Sequence, residues 1–150
     1  MKEFELSLSS AIINGTRNRP RGGVGLQVKV KILVVDDDPA MLLVASIALE
    51  QVGGFEVLLA RDGLEAIECA RLNKPDAILM DLVMPDLDGS DVLQTLRAHE
   101  STVKIPVIFH TAKTDPSEIR SMLALGAKGV LGKPSDPAAL AEEIERILES

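Results

Sequence analysis

The chain has 150 residues, a length that suits one domain, since a chain of this size buries most of its unfolded surface in a single core. With 46% hydrophobic and 26% charged residues it is typical of globular proteins in water. No apolar run reaches the roughly 18 residues of a membrane helix. A single cysteine, Cys69, excludes an internal disulfide framework and a cysteine metal cluster. We therefore expect a cytoplasmic protein that makes no membrane contact.

Charge is unevenly distributed along the chain. Residues 1–31 contain six basic and two acidic side chains, a net charge of +4, so the overall charge of −7 leaves −11 on residues 32–150. Nucleic-acid binding depends on neutralising phosphates with Lys and Arg, which an acidic body does not offer. We expect no direct contact between the domain and nucleic acid.

The first 28 residues differ from the rest in composition. They contain turn-prone pairs such as Asn14-Gly15, a basic stretch at 17–21 and several glycines, without a sustained apolar segment. We predict that residues 1–28 form a flexible basic extension or an expression-derived tail, with an arm that docks on a partner as the alternative. The folded domain is then residues 29–150.

Short apolar runs and amphipathic stretches alternate from Val28 onward. Capping signals begin several of the helices, including Asp62 with Glu65 and Asp115 before Pro116. Such alternation predicts right-handed crossovers and an α/β doubly wound fold, with five parallel strands in the order 2-1-3-4-5 and five helices covering both faces. The predicted strands are 30–35, 55–59, 77–80, 105–110 and 130–131, and a helix follows each of them.

Polar residues follow four of these strands at the edge where ligands bind in open α/β sheets. Asp36 and Asp37 follow the first strand, Asp81 the third, Thr111 the fourth and Lys133 the fifth. Strands 1 and 3 are neighbours in the predicted order, so their carboxylates would meet and repel unless a cation joined them. Mg²⁺, a hard ion that takes carboxylate and phosphate oxygens, suits this edge, with Mn²⁺ as a substitute.

The same five residues suit phosphoryl transfer, in which a protein mainly supplies position and charge neutralisation. Asp81 would be the nucleophile that forms an acyl phosphate. Asp37, and Asp36 through water, would hold the metal, while Lys133 and the Thr111 hydroxyl would bind phosphate oxygens. The sequence therefore predicts a phosphoryl acceptor at Asp81.

Four segments carry a family resemblance: Val34-Val35-Asp36-Asp37-Asp38-Pro39, the stretch 81–89, Thr111-Ala112 and Gly132-Lys133-Pro134. Residues 30–149 resemble the receiver domain of two-component response regulators, in particular the single-domain chemotaxis regulators. The resemblance implies a flavodoxin-like fold and Mg²⁺-dependent phosphorylation of Asp81 by a histidine kinase or a phosphotransfer protein. It also implies a domain that is no enzyme in the usual sense, since it catalyses only its own phosphorylation and dephosphorylation.

The resemblance assigns further roles. It implies that the Val83 carbonyl is a metal ligand, that Lys133-Pro134 is a cis peptide, and that Val83, Ala112, Lys113 and Val130 are tuning or switch positions. Val130 departs from the family, which commonly has Tyr or Phe there as a signalling aromatic. A second departure is Ser135, where Phe is common after Lys-Pro. The sequence therefore does not predict how phosphorylation of Asp81 would be transmitted to a partner surface.

The output of the domain is a separate expectation. Phosphorylation would change the protein-binding surface for a downstream protein that the sequence does not identify. The resemblance also allows a homodimer through the face of helix 4, strand 5 and helix 5. The chain is either a single-domain receiver or part of a longer protein.

Two other functions are compatible with parts of the sequence. A receiver-like interaction module that is never phosphorylated would explain Val130. Asp86-Leu87-Asp88-Gly89-Ser90 matches an aspartyl-phosphate phosphatase motif, although that motif needs a buried strand before its first Asp, and Met84-Pro85 stands there.

Overall fold

A five-stranded parallel sheet is the centre of the computed structural model, which describes residues 12–13, 16–18 and 27–150. The described strands are β1 (Ile12–Ile13), β2 (Thr16–Asn18), β3 (Gln27–Lys29), β4 (Lys31–Val35), β5 (Glu56–Ala60), β6 (Ala77–Met80), β7 (Val107–Thr111) and β8 (Gly129–Gly132). The helices are α1 (Pro39–Ile47), which continues into a π-helical segment (Ala48–Val52), α2 (Gly63–Asn73), α3 (Gly89–Arg97), α4 (Pro116–Ala124) and α5 (Pro137–Glu149).

The strand order confirms the predicted topology. The sheet runs β5-β4-β6-β7-β8, which is 2-1-3-4-5 when its strands are counted along the chain, and all four pairings are parallel. β6 is buried at every position, as expected for an apolar run covered by helices on both faces. The α/β doubly wound, flavodoxin-like architecture is therefore confirmed.

Alternate residues of each strand pack into two separate cores, because successive strand side chains point to opposite faces. One core joins the sheet to α2, α3 and α4, and the other joins it to α1 and α5. The first contains Leu33, Ile78, Phe109, Leu93 and Met122; the second contains Ile32, Leu79, Ile108, Leu42 and Ile144.

Two local features refine the sequence predictions. The capping pair at α2 forms: Glu65 N donates to Asp62 Oδ1 at 2.8 Å, and Glu65 Oε1 accepts from Arg61 N at 2.7 Å. The helix after β4 is not uniform: it changes at Ala48 to wider π-helical turns, and Gly53 N donates to Ala48 O five residues back. Hydrophobic periodicity does not distinguish these two helix types over so short a segment.

Part of the predicted N-terminal extension pairs as strands. β1 and β2 are antiparallel, and β2 pairs with β3, which leads into β4 after Val30. The other residues of 1–28 lie outside the described ranges, so the extension and the domain boundary at 29 stay predictions. No helix within the described ranges is long and apolar enough to span a membrane.

One titratable side chain lies inside the second core. His110 is only 4% exposed, and strand alternation puts it on the same face of β7 as Ile108. Burial lowers its pKa to about 4, helped by the charge of Lys133 and opposed by that of Asp36. The imidazole is therefore neutral at physiological pH.

This burial predicts a loss of stability in acid. The unfolded chain protonates His110 near its ordinary pKa of 6.5, whereas the folded chain resists protonation down to about 4. Stability from this group is thus full above pH 6.5 and falls between those values. From about pH 7.5 to about pH 5, the free energy of unfolding should drop by about 2 kcal/mol more in wild type than in His110→Leu.

Urea denaturation at the two pH values measures this difference. His99→Gln is the matched control, because His99 is exposed on the end of the α3 region. The prediction is contradicted if His110→Leu keeps the wild-type pH dependence, or if His99→Gln removes it.

Candidate functional site

Three carboxylates converge at the carboxyl edge of the sheet. Asp36 and Asp37 follow β4, and Asp81 follows β6, the strand paired beside it; Asp81 N donates to Val35 O at 2.9 Å. One carboxylate oxygen from each of the three lies within 4.8 Å of the others. The neighbouring ends of two parallel strands thus create the acidic cluster expected from the sequence.

Lys133 reaches this cluster from β8, the strand at one edge of the sheet. It follows β8, and its Nζ lies 2.7 Å from Asp36 Oδ2 and 3.3 Å from Asp81 Oδ2. Burial by itself lowers the pKa of Lys133, but the hydrogen bonds and charges of the two carboxylates outweigh it and raise that pKa. The ammonium group therefore stays charged and holds Asp36 and Asp81 together.

The ionised form of Asp81 remains unfavourable despite this ion pair. Burial raises its pKa, and repulsion from Asp36 adds to the effect, while Lys133 and the Val83 N–H oppose it. One lysine does not balance three carboxylates. A further cation at the cluster would favour the ionised form of Asp81, which is the form that acts as a nucleophile.

The donor set fits a hard divalent cation. All three side chains offer oxygen, as Mg²⁺ prefers, and they differ in burial: Asp36 is buried, Asp81 is half-buried and Asp37 is exposed. Asp36 is already engaged, since its Oδ1 accepts from Asp38 N at 2.9 Å and its Oδ2 from Lys133. Asp37 is therefore the carboxylate best placed to meet an ion from solvent.

The loop between Asp81 and α3 is held at two points. Gly89 N donates to Leu82 O at 2.7 Å, and a Cβ on Gly89 would lie 2.7 Å from Asp81 O, so only glycine fits there. The Asp86 carboxylate accepts from Gly63 N at 3.0 Å and Leu64 N at 3.1 Å. These bonds attach the loop to the first turn of α2.

Asp86 is accordingly a helix cap. Its hydrogen bond from Gly63 N, above all, lowers the pKa of Asp86; desolvation opposes this, and the bond from Leu64 N lowers the pKa further. No strand directly precedes it, because 81–88 is a loop. The buried strand that the phosphatase motif requires is therefore missing, and the motif match is explained by the cap.

Thr111 lies at the same edge, with a different set of contacts. It is buried at the end of β7, its Oγ1 accepts from Lys113 N at 3.0 Å, and its carbonyl accepts from Lys133 N at 2.8 Å. Within the described ranges, Thr111 Oγ1 makes no hydrogen bond to the three carboxylates. Its hydroxyl hydrogen is therefore available to a group that arrives beside Asp81.

The remaining predicted positions lie in the loops after β6, β7 and β8, except Val130, which lies within β8. Val83, Ala112 and Lys113 are exposed, and Val83 and Lys113 line an open groove of about 300 Å³ that extends to α4. Val130 is half-buried against the core on the α3 side, and the Lys133-Pro134 peptide is cis. The role of the Val83 carbonyl as a metal ligand stays a proposal.

Sequence reasoning missed one polar contact beside the site. His110 Nε2 lies 2.9 Å from Ser135 Oγ, a contact that the sequence did not predict. Strand alternation predicts which face of β7 it lies on, but no sequence signal places Ser135, 25 residues later, against it. The contact depends on how the β8–α5 loop folds back.

Comparisons with known proteins agree with this geometry. Residues 32–145 match the family model described as the response regulator receiver domain. The chemotaxis response regulator CheY4 of Vibrio cholerae is 31% identical, with 80% of this chain and 99% of that chain covered and a TM-score of 0.75. The receiver domain of the sensor histidine kinase PA1611 from Pseudomonas aeruginosa, whose structure has a magnesium ion in the active site cleft, is 32% identical over 82% and 100% of the two chains, with a TM-score of 0.73.

Longer proteins are similar over most of this chain. The DNA-binding response regulator MtrA of Mycolicibacterium smegmatis is 35% identical over 78% of this chain and 50% of its own length. The alkaline phosphatase synthesis transcriptional regulatory protein PhoP of Bacillus subtilis is 36% identical over 79% and 48%. The chain spans about half the length of these relatives. From the match over 32–145 and the shared architecture, the chain belongs to the response regulator receiver domain family.

Proposed function

We propose that this receiver accepts a phosphoryl group on Asp81 from a histidine kinase or a histidine phosphotransfer protein, in a Mg²⁺-dependent reaction. The observation that carries the proposal is the environment of Asp81, which lies 3.3 Å from a half-buried lysine ammonium and within 4.8 Å of two further carboxylates. Phosphoryl transfer requires such a nucleophile together with positive charge for the phosphate oxygens.

The roles follow from where each group lies. An Asp81 carboxylate oxygen forms the new bond to phosphorus, and the phosphorus–nitrogen bond of the donor breaks, with its electron pair leaving on the imidazole nitrogen. Lys133 is free to move from Asp36 to a phosphate oxygen, and Thr111 donates to another. Asp36, Asp37, Asp81 and the Val83 carbonyl would hold Mg²⁺, or Mn²⁺ in its place, which when bound neutralises phosphate charge.

The domain acts only on its own Asp81. Water attack on the acyl phosphate returns Asp81 to its carboxylate, so the domain catalyses only its own phosphorylation and dephosphorylation. The exposed Val83 and Lys113, with Ala112, border the path of that water. We infer a cytoplasmic signalling module, with no nucleic-acid contact by the acidic body of the domain.

The exposed face of α1 supports a protein as the donor. α1 contains no charged residue, and Leu43, Val44 and Ile47 are 59%, 43% and 49% exposed. Apolar residues at this spacing form one stripe on a helix. α1 begins two residues after Asp37, so a partner that covers the stripe would place a phosphohistidine near Asp81.

The output surface is expected at a different place, beside the edge strand β8. Phosphorylation would draw Thr111 toward the phosphate and alter the packing around Val130, on the face made by α4, β8 and α5. Leu123 and Leu125, 46% and 39% exposed, are apolar residues on that side. A downstream protein, or a second copy of the chain in a homodimer, would bind there.

Phosphorylation itself is tested with acetyl phosphate and Mg²⁺. Intact-mass spectrometry should detect one added phosphoryl group on wild type and none on Asp81→Asn. Asp86→Asn is the matched control, because this carboxylate lies in the same loop but caps α2, and it should still be phosphorylated. An unmodified wild type would favour the interaction module, and turnover of a small phosphomonoester that Asp86→Asn abolishes would favour the phosphatase.

Lys133→Ala separates phosphate binding from metal binding. Removal of a positioned cation should slow phosphorylation by roughly a hundredfold or more. Mg²⁺ affinity should stay equal or rise, because the lysine competes with the ion for Asp36 and Asp81. Titration calorimetry measures the Mg²⁺ affinity, since the chain has no Trp or Tyr to report binding by fluorescence. A large loss of Mg²⁺ affinity in Lys133→Ala would assign the lysine to the metal site instead.

The docking role of α1 predicts a donor-dependent defect. Val44→Lys should slow transfer from a phosphorylated histidine kinase domain by roughly tenfold or more, because it puts charge into an apolar contact. Transfer from acetyl phosphate, which needs no docking surface, should be unchanged. Leu72→Lys on α2, where the leucine is 64% exposed, is the control. Equal slowing with both donors, or in the control, would contradict docking at α1.

A further inference from the structure

We propose that His110 and Ser135 are positioning residues for Lys133: a directed hydrogen bond from His110 to Ser135 fixes the loop that carries the lysine. The proposal rests on the proposed phosphoryl transfer to Asp81 and concerns the lysine side of that site. Neither residue touches the acceptor. Both act through the backbone on either side of Lys133.

The direction of the hydrogen bonds follows from the acceptor at their end. Ser135 Oγ lies 2.7 Å from the Gly132 carbonyl oxygen, which can only accept, so the serine hydroxyl must donate to it. A hydroxyl has one hydrogen. Ser135 Oγ must therefore accept from His110 Nε2, 2.9 Å away, and His110 is held in its Nε2–H form.

The surroundings of His110 make this arrangement specific. The ring is 4% exposed in an apolar core, where an unpaired N–H would be costly. A neutral imidazole carries one N–H, and the bond to Ser135 uses it. Ser135 is therefore the polar partner that allows a histidine at a position buried among aliphatic side chains.

The chain of bonds encloses Lys133. Lys133 N itself donates to Thr111 O at 2.8 Å. Two residues later, Ser135 is hydrogen-bonded to both Gly132 and His110. Adjacent residues of one strand, His110 and Thr111, thus hold the loop at two points. With both ends attached to β7, the lysine stem has a fixed origin from which Nζ reaches Asp36 and Asp81.

Removing the hydrogen bond between His110 and Ser135 should affect the phosphorylation rate more than the Mg²⁺ affinity. Ser135→Ala and His110→Leu each break the bond between loop and strand, so we expect phosphorylation by acetyl phosphate at saturating Mg²⁺ to slow by roughly three- to tenfold. The Mg²⁺ affinity should change by less than about twofold, since the carboxylates are untouched. Ser135→Thr, which keeps the hydroxyl, should retain the wild-type rate.

The variants form a cycle with an internal control. If the two side chains act through one bond, His110→Leu with Ser135→Ala should be no slower than the slower single variant. Ser46→Ala removes a hydroxyl that, among the described residues, bonds only to Leu43 O on α1, and it should leave the rate unchanged. A wild-type rate in Ser135→Ala, or fully additive losses in the double variant, overturns the positioning role.

Nitrogen NMR of the histidine rings reads the bond independently of phosphorylation. Wild type should have His110 fixed as the Nε2–H tautomer, and Ser135→Ala should lose that signature; an Nδ1–H tautomer in wild type would overturn the proposal. If wild type takes up no phosphoryl group, the proposed function fails and the positioning role fails with it. Normal wild-type phosphorylation with an unaffected Ser135→Ala overturns the positioning role alone.

Discussion

Repulsion among three carboxylates at one edge of the sheet is the constraint on which the site depends. Parallel pairing of β4 with β6 brings Asp36, Asp37 and Asp81 together whether or not a counter-charge is present. Lys133 offsets part of this repulsion through two short contacts, and burial strengthens both the repulsion and the attraction. A site with surplus negative charge and one internal cation suits the proposed binding of a metal ion and a phosphoryl group.

Packing of the sheet keeps these charged side chains close together. The strands that end at the cluster are buried on both faces, so their ends cannot separate without disrupting a core. The loops add their own attachments: Gly89 allows the chain to pass close to Asp81 O, and Asp86 joins the acceptor loop to α2. The groups expected to move, the Lys133 and Thr111 side chains, lie on a rigid base.

The sequence differs from the common pattern of the family at two positions on the expected signalling route. Val130 supplies no aromatic ring to turn inward, and Ser135 replaces the usual phenylalanine after Lys-Pro. The serine instead makes a polar connection to His110, one residue from Thr111. A shift of Thr111 toward a phosphate would therefore be transmitted to the start of α5 through hydrogen bonds as well as through apolar packing.

The sequence by itself determined the strand order, the five helices and the edge at which Asp36, Asp37, Asp81, Thr111 and Lys133 meet. Those features depend on local periodicity and on the rule that parallel strands share a carboxyl edge, both of which are readable along the chain. Only the tertiary structure decided that Asp86 caps α2, that the first helix becomes π-helical and that His110 meets Ser135. The two polar contacts join residues more than twenty positions apart through loops whose paths have no periodic signal, and the change of helix type lies within one apolar stretch whose periodicity suits either form.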